Sequence, residues 1–274
     1  MEMVSAARLR RAEQRIEALR PYARGIRLMT RRAVHAAEHI PGMPMLEDRE
    51  NVQNVGIIAV TADRGLAGAF NSQIIRAANR RRQELRADGV EVHFFAVGRR
   101  GVSSLRFRGF EIEGEYTGFT DRPGFANARD VAQDVITGYA DEKLDRVEII
   151  FNHYESPIVQ TVESNVLLPI HQIEDVTESE EDDSDEHHNA QWIYEPEPED
   201  ILRRLVTDYV EISIYRAMLE STASEHGARM TAMRNASENA SELIEDYTLE
   251  MNRQRQAEIT QEIMEVVAGA EGLR

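Results

Sequence analysis

Cysteine is absent from this sequence of 274 residues, which excludes a disulfide scaffold, a thiolate metal site and a cysteine nucleophile. Proline (8 residues) and glycine (16 residues) are scarce, which leaves room for long uninterrupted helices. No run of 18 apolar residues occurs, so the sequence predicts no membrane span, and the first residues lack the apolar stretch of a signal peptide. With 42% hydrophobic and 30% charged residues, the chain has enough apolar side chains to bury a core.

Positive charge is in the minority, because the formal net charge is −17. This balance argues against a general nucleic-acid binder. Residues 174–200 carry thirteen Asp and Glu and no Lys or Arg, whereas residues 1–32 carry nine Arg and three Glu. Contact with acidic loops of a protein partner explains the arginines of the N-terminal segment better than a nucleic-acid arm does.

Three regions follow one another along the chain. Residues 1–47 are predicted to form a polar coiled-coil helix that ends near Pro41. Residues 48–200 alternate short apolar runs with helical stretches and include an acidic loop at residues 174–190. Strands are predicted at residues 55–60, 90–97, 146–151 and 158–170, and helices at residues 70–88 and 126–139. This alternation predicts a parallel-sheet, Rossmann-like α/β body.

Residues 201–274 are predicted to form a second, much longer helix. From Ile201 to Ala268 there is no proline and a single glycine, and 68 helical residues would extend on the order of 100 Å. In the second half of this segment, apolar and small residues recur at spacings of three and four, the pattern of a coiled-coil seam. The N-terminal helix is the obvious partner for this seam. We therefore expect an antiparallel two-helix coiled coil that projects from the α/β body.

Asp63, Gly65 and Gly68 lie after a predicted strand and before a predicted helix, where a phosphate-binding loop would occur. The segment matches neither the G-x-G-x-x-G pattern nor a Walker loop, so a structural turn is favoured and nucleotide binding is the alternative. His35 and His39 are four residues apart but lack the Glu of an HExxH site, so no metal site or cofactor is predicted. No spacing indicates a catalytic pair.

Five separated motifs resemble the gamma subunit of F-type ATP synthases. The C-terminal one matches the family signature at six positions and departs from it at Gly272. The matching positions are Ile259, Thr260, Glu262, Glu265, Gly269 and Ala270. The other motifs, in chain order, are MEMVSAARLRR at residues 1–11, RPYA at 20–23, DRGLAGAFN at 63–71 and YEPEP at 194–198.

The resemblance implies a non-catalytic rotor subunit that couples rotation of a membrane ring to ATP synthesis and hydrogen ion transport. The implied partners are the alpha and beta subunits of the catalytic hexamer, the epsilon subunit and the membrane c-ring. The implied location is peripheral, on the cytoplasmic side of the bacterial cell membrane. By motif match, contacts with the catalytic hexamer are expected at Arg229, Arg255, Gln256, Thr260 and Glu262. Contacts at the foot, near the ring and epsilon, are expected at Tyr194 and Glu195.

Two further expectations accompany this interpretation. The alternative function is a dinucleotide-binding α/β enzyme that dimerises through its coiled-coil arm. The resemblance also implies that the chain lacks the usual first twenty or so residues. The helix lengths support this expectation, because an N-terminal helix of about 40 residues is too short to pair along all 68 residues from Ile201 to Ala268. Residues such as Ile259, Ile263, Val266 and Val267 are then expected to have no cover within the chain.

Overall fold

The computed structural model describes residues 1–36, 44–47, 49, 51–157, 159–170 and 198–271. This part of the chain contains five helices and five strands, with a short 3-10 helix at Pro44–Leu46, and helices and strands alternate except that β5 directly follows β4. Their bounds are α1 (Glu2–Ala36), β1 (Asn54–Val60), α2 (Phe70–Ala87), β2 (Glu91–Val97), α3 (Arg99–Phe107), β3 (Ile112–Tyr116), α4 (Phe125–Ala140), β4 (Arg146–Tyr154), β5 (Gln160–Leu168) and α5 (Pro198–Glu271).

The strands form one sheet in the order β3-β2-β1-β4-β5. β1 pairs in parallel with β2 and β4, so that Ile57 lies between Phe94 and Glu148, and β2 pairs in parallel with β3. β5 corrects the expectation of a wholly parallel sheet, because it runs antiparallel to β4. Only residues 155–159 join these two strands, and a parallel crossover needs about a dozen residues or more. The α/β class with a mostly parallel sheet is confirmed.

Helices cover both faces of the sheet. Side chains alternate along β1, so that Ile57 and Ala59 face α2 and α3, whereas Ile58 and Val60 face α4 and the first part of α5. The helical residues that are fully buried on these two faces include Ile74, Ala78, Leu105, Ala132, Val135, Val206 and Val210. The core of the body is therefore two apolar layers that share the sheet.

α1 packs along α5 in the antiparallel direction. Glu2 of α1 contacts Arg234, Leu9 and Ile16 lie in one cluster with Leu219, and further along α1 the contacts reach Ile212. As the residue numbers increase along α1, the numbers of the residues that they contact in α5 therefore decrease. The pairing involves the first half of α5, which corrects the expectation that the N-terminal helix covers the seam beyond residue 230.

Residues 235–271 form the distal half of α5, which extends about 55 Å past the body. From Asn235 to Gly269, every residue except Asn252 is exposed. In the part of the chain that the structure describes, no helix combines the length and apolar content that a membrane crossing requires.

Candidate functional site

The carboxyl ends of β1, β2 and β3 meet at one edge of the sheet, where their loops converge on the Asp63 carboxylate. Oδ1 of Asp63 accepts a hydrogen bond from the backbone N–H of Arg99 (3.0 Å). Oδ2 accepts from the backbone N–H groups of Gly118 (2.9 Å) and Thr120 (3.1 Å) and from the Thr120 hydroxyl (3.0 Å). Burial raises the pKa of Asp63, but these hydrogen bonds outweigh burial, so the pKa is lowered overall.

The same loops contact both helices of the rod, which is the pair formed by α1 and α5. The Thr120 carbonyl oxygen lies 3.0 Å from the Thr222 hydroxyl of α5. The neighbouring Asp121 accepts a charge-assisted hydrogen bond from Arg8 of α1, and Nε2 of His226 in α5 lies 3.8 Å from the Asp121 carboxylate. The loop between β3 and α4 therefore joins the body to α1 and α5 at one level.

Arg229, which was predicted to contact the catalytic hexamer, is buried within this chain. The residue is 5% exposed, and its Nη2 donates to Glu225 (2.6 Å) and to the Gly65 carbonyl oxygen (3.1 Å). Gly65 belongs to the loop between β1 and α2, in which Gly68 has a positive φ of 54°. In this structure the Arg229 guanidinium fastens α5 to that loop.

Two buried titratable groups of α5 lie in this junction. Burial raises the pKa of Glu225 to about 7, although Arg229 acts in the opposite direction. Burial also lowers the pKa of His226 to about 4, with the charges of Arg229 and Arg8 adding to the effect and Asp121 opposing it. At neutral pH the His226 ring is therefore uncharged and the Glu225 carboxyl is close to its pKa, and both groups are buried between α5 and the loops of the body.

α5 fills the crevice in which a doubly wound α/β sheet usually binds a nucleotide. Such sites lie beyond the carboxyl end of β1, where the strand order reverses. Here a void of about 10 Å³ remains between the residues after β1 and the α5 side chains Met218, Ser221, Thr222 and Glu225. A dinucleotide cannot enter this space.

The distal half of α5 presents a second, exposed set of residues. Ile259, Ile263 and Val267 are 47–56% exposed and lie on one stripe at helical spacing. Gln256 and Thr260 lie on the same stripe, also exposed, and the Thr260 hydroxyl bonds back to the Gln256 carbonyl oxygen (2.7 Å). Arg255 and Glu262, seven residues apart, are exposed along one border of the stripe. The structure thus brings four of the five predicted hexamer contacts together on one segment and leaves Arg229 in the junction.

Comparisons with known proteins agree with this architecture. The sequence pattern of the family described as ATP synthase matches residues 1–273. The ATP synthase gamma chain of Moorella thermoacetica is 42% identical over 274 residues, which are all of this chain and 92% of the relative. This chain belongs to the ATP synthase gamma-chain family. The gamma chain of Rubrobacter xylanophilus is 39% identical over 273 residues, all of this chain and 91% of the relative.

Solved structures share the fold of this gamma-chain family member. A chain from the central stalk and c-ring structure of the Tetrahymena thermophila mitochondrial ATP synthase aligns with a TM-score of 0.65 at 24% identity, over 86% of this chain and 97% of that one. A chain from the Euglena gracilis mitochondrial enzyme aligns with a TM-score of 0.59 at 15% identity, over 99% of this chain and 94% of that one.

A third group of polar residues, which the sequence analysis missed, ties β4 to both rod helices. Nδ1 of His153 lies 2.6 Å from a Glu220 carboxylate oxygen, and the other oxygen accepts from Arg216 (2.6 Å). The hydrogen bond with Glu220 raises the pKa of His153, although burial acts in the opposite direction. Nearby, the Tyr154 hydroxyl donates to Glu13 of α1 (2.5 Å). The signal for this group in the sequence is the four-residue spacing of Arg216 and Glu220, which places the two side chains on one face of a helix.

Several predicted residues of this gamma-chain family member lie outside the described residues. They include Tyr194, Glu195, His39 and the acidic loop at residues 174–190, while His35 belongs to α1. Within the described ranges, no group of three or more His, Asp or Glu is arranged to hold a metal ion.

Proposed function

We propose that this chain is the central-stalk rotor subunit of a proton-translocating F-type ATP synthase. The observation that carries the proposal is the family match across the whole chain, because 42% identity over 274 residues includes both the body and the rod. In this role the chain itself is non-catalytic. It forces the catalytic sites of an alpha–beta hexamer through successive affinities by turning inside them.

The distal half of α5 supports the proposal by its exposure. A helix of 37 residues has apolar side chains on its surface, among them Ile259 and Ile263, and no other described segment of the chain covers them. Such a surface indicates a partner, and a sleeve of alpha and beta subunits would cover it on all sides.

Polar contacts suit a helix that must turn within its partner. Gln256 and Thr260 interrupt the apolar stripe, and Arg255 and Glu262 border it. Hydrogen bonds from these residues to the hexamer can break and form again at each step, because each contributes only about 1 kcal/mol net. We assign Arg255, Gln256, Thr260 and Glu262 to this contact and exclude Arg229, whose guanidinium is buried.

The body completes the rotor in this proposal. The distal half of α5 leaves the body beyond its carboxyl edge, so the remainder of the body is free to contact the c-ring and the epsilon subunit. Tyr194 and Glu195 are assigned to that foot by motif match. The subunit would then be peripheral, on the cytoplasmic side of the bacterial membrane.

A rotation assay tests the function directly. The chain has no cysteine, so Ser103→Cys on the exposed side of α3 gives a single attachment point for a bead. In a complex with the alpha, beta and epsilon subunits of its own organism, ATP is expected to drive rotation of the bead. A stable, hydrolysing complex in which the bead stays still would contradict the rotor function.

The assigned contact is tested in the same assay with two matched glutamines. Gln256→Ala is expected to lower the rotation rate and the coupled ATP synthesis about threefold or more, because it removes a hydrogen bond between rotor and hexamer. Gln254→Ala is the control, since Gln254 is exposed on a different side of the same turn. Equal rates for the two variants would refute the assignment of Gln256.

A further inference from the structure

Asp63 is the point at which three loops of the body are joined. It belongs to the loop after β1, and its carboxylate binds Arg99 after β2 and Gly118 and Thr120 after β3. Its own backbone N–H also donates to the Thr120 hydroxyl (2.8 Å). A carboxylate that accepts four hydrogen bonds holds its donors more firmly than neutral acceptors would.

Two of the loops that this carboxylate joins, those after β1 and β3, contact the rod. Two positions after Asp63, the Gly65 carbonyl oxygen accepts from Arg229 of α5 (3.1 Å). Thr120 contacts Thr222 of α5, and Asp121 binds Arg8 of α1. Asp63 itself contacts neither α1 nor α5 in the hydrogen bonds described, so any effect on the rod passes through these neighbours.

Torque between the body and the rod must cross the contacts at the carboxyl edge. If the three loops were free to shift against one another, a turn of the body would first deform them and only then move α5. By fixing the loops in one register, the Asp63 carboxylate makes the contacts to Arg229, Thr222 and Arg8 act together.

We propose that Asp63 is a positioning residue for rotary coupling, which holds the loops after β1, β2 and β3 in register so that the body and the rod turn as one. This inference rests on the proposed rotor function and assigns a role to a residue outside the contacts that we assign to the hexamer and the foot. Asp63 lies at the edge where doubly wound α/β sheets usually bind nucleotides, and here it joins the loops that contact the rod.

The test compares two activities of the complete complex. Asp63→Asn keeps the size of the side chain but replaces one accepting oxygen with an NH₂ donor, which opposes the N–H groups of Gly118 and Thr120. We expect proton-driven ATP synthesis in vesicles to fall about threefold to tenfold. ATP hydrolysis by the soluble complex with alpha and beta subunits should stay near the unmodified rate, because the rod within the hexamer is unchanged.

A disulfide provides the rescue that a merely structural role would not predict. An ideal Cβ on Gly68 would lie 4.0 Å from the Cβ of Ala232 in α5, which is within the range of about 3.5–4.5 Å for disulfides. In a chain without other cysteines, Gly68→Cys with Ala232→Cys joins the loop after β1 to the rod. Because Gly68 has a positive φ, the reduced form of this pair in an otherwise unmodified chain is the baseline.

In the Asp63→Asn background, oxidation of this pair should restore synthesis, and reduction should abolish the gain. If Asp63→Asn alone prevents assembly, the complex is assembled in the oxidised form and then reduced, and synthesis should fall on reduction. Asp88→Asn, an exposed carboxylate near the opposite edge, is the matched control and should leave both activities unchanged.

Three results would overturn the proposal. The first is an Asp63→Asn variant that synthesises ATP at the rate of the unmodified chain. The second is an equal loss of ATP synthesis and ATP hydrolysis in that variant. The third is equal ATP synthesis by the oxidised and reduced forms of the Asp63→Asn variant that carries the two cysteines. Failure of the rotor function itself would be seen separately, because the unmodified chain would then support neither rotation nor synthesis.

Discussion

The junction between the body and the rod places His226 where it cannot easily take up a proton. Its ring is 1% exposed, and two arginines, Arg8 and Arg229, lie close enough to oppose a further positive charge. Asp121 partly offsets them at 3.8 Å. With a pKa of about 4, the ring is neutral in the folded chain near neutral pH.

We expect His226 to make the isolated chain less stable in mild acid. In the unfolded chain His226 takes up a proton below the ordinary histidine pKa of 6.5, whereas in the folded chain its pKa is about 4. Between these values the unfolded state binds more protons, so the free energy of unfolding falls as the pH falls, by an amount on the order of 2 kcal/mol. Urea unfolding at pH 7.5 and pH 4.5 measures the total change, to which Glu225 contributes with the opposite sign because its folded pKa of about 7 lies above its ordinary value of 4.5.

The variant His226→Gln identifies the share of this loss that belongs to His226. The variant should lose less stability between the two pH values than the unmodified chain, because glutamine does not titrate. His93→Gln, at the opposite end of the sheet, corrects for the removal of any histidine. An unchanged pH dependence in His226→Gln would contradict the explanation.

At the scale of residues, the sequence indicated where the turn residues lie along the chain, but it did not indicate which residues they contact. Asp63, Gly65 and Gly68 were predicted to form a turn between a strand and a helix, and they lie in the loop between β1 and α2. That this loop holds α5 was not predictable, because its contact with Arg229 spans 164 positions of sequence. Arg229 was assigned to the hexamer contact by motif match, which does not show that the sheet, a loop and α1 together surround this part of α5.

The pairing of α1 with α5 depends on a short apolar seam. Leu219 is 1% exposed and packs with Leu9, Ala12 and Ile16 of α1. We expect Leu219→Ala to lower the free energy of unfolding by about 3 kcal/mol, since it removes buried methyl groups and leaves a cavity. Met251→Ala on the distal half, where the side chain is 59% exposed, should change it by less than about 0.5 kcal/mol.

Chemical unfolding of the isolated chain measures both values. A loss in Leu219→Ala no larger than that in Met251→Ala would mean that α1 and α5 separate before the measured transition. The pairing would then not be part of the cooperative fold.

At the scale of elements, the strongly apolar strands and the uninterrupted helices were predictable, whereas α3 and β3 were missed. α3 has nine residues and buries only Gly101, Val102 and Leu105, and β3 is an edge strand in which only Gly114 is buried. Neither element carries a periodic pattern long enough to be recognised. The direction of β5 was readable in principle, because the short link after Tyr154 permits only a hairpin.

The seam of α5 was assigned to the wrong partner for a related reason. Between residues 202 and 229 the helix is covered by the sheet, α4 and α1, so its apolar residues occur on several sides and show no single stripe. The clean spacing of three and four begins only beyond residue 230, where the helix has left the body. A clear stripe therefore marked the part of α5 that no described segment of the chain covers.

At the scale of the whole molecule, two kinds of surface are separated. The body is closed by its own helices, and its polar junction residues bind one another. The distal half of α5 instead exposes large apolar side chains over most of its length. They are Leu243, Ile244, Tyr247, Leu249, Met251, Ile259, Ile263, Met264, Val266 and Val267. The body therefore buries its apolar side chains within the chain, whereas the distal half of α5 leaves its apolar side chains for a partner to cover.

We expect the isolated chain to self-associate through the distal half of α5 and to become a single complex with alpha and beta subunits. Burying an exposed isoleucine gains about 1–2 kcal/mol, so several of these side chains together favour association. Sedimentation velocity should detect larger species as the concentration of the isolated chain rises.

The double variant Ile259→Ser, Ile263→Ser should shift this onset to higher concentration and also weaken binding to the hexamer. Val166→Ser, at an exposed position of β5, should change neither. A monomeric chain at every concentration, or equal behaviour of both variants, would mean that these side chains are tolerated in water and that the hexamer is held by polar contacts alone.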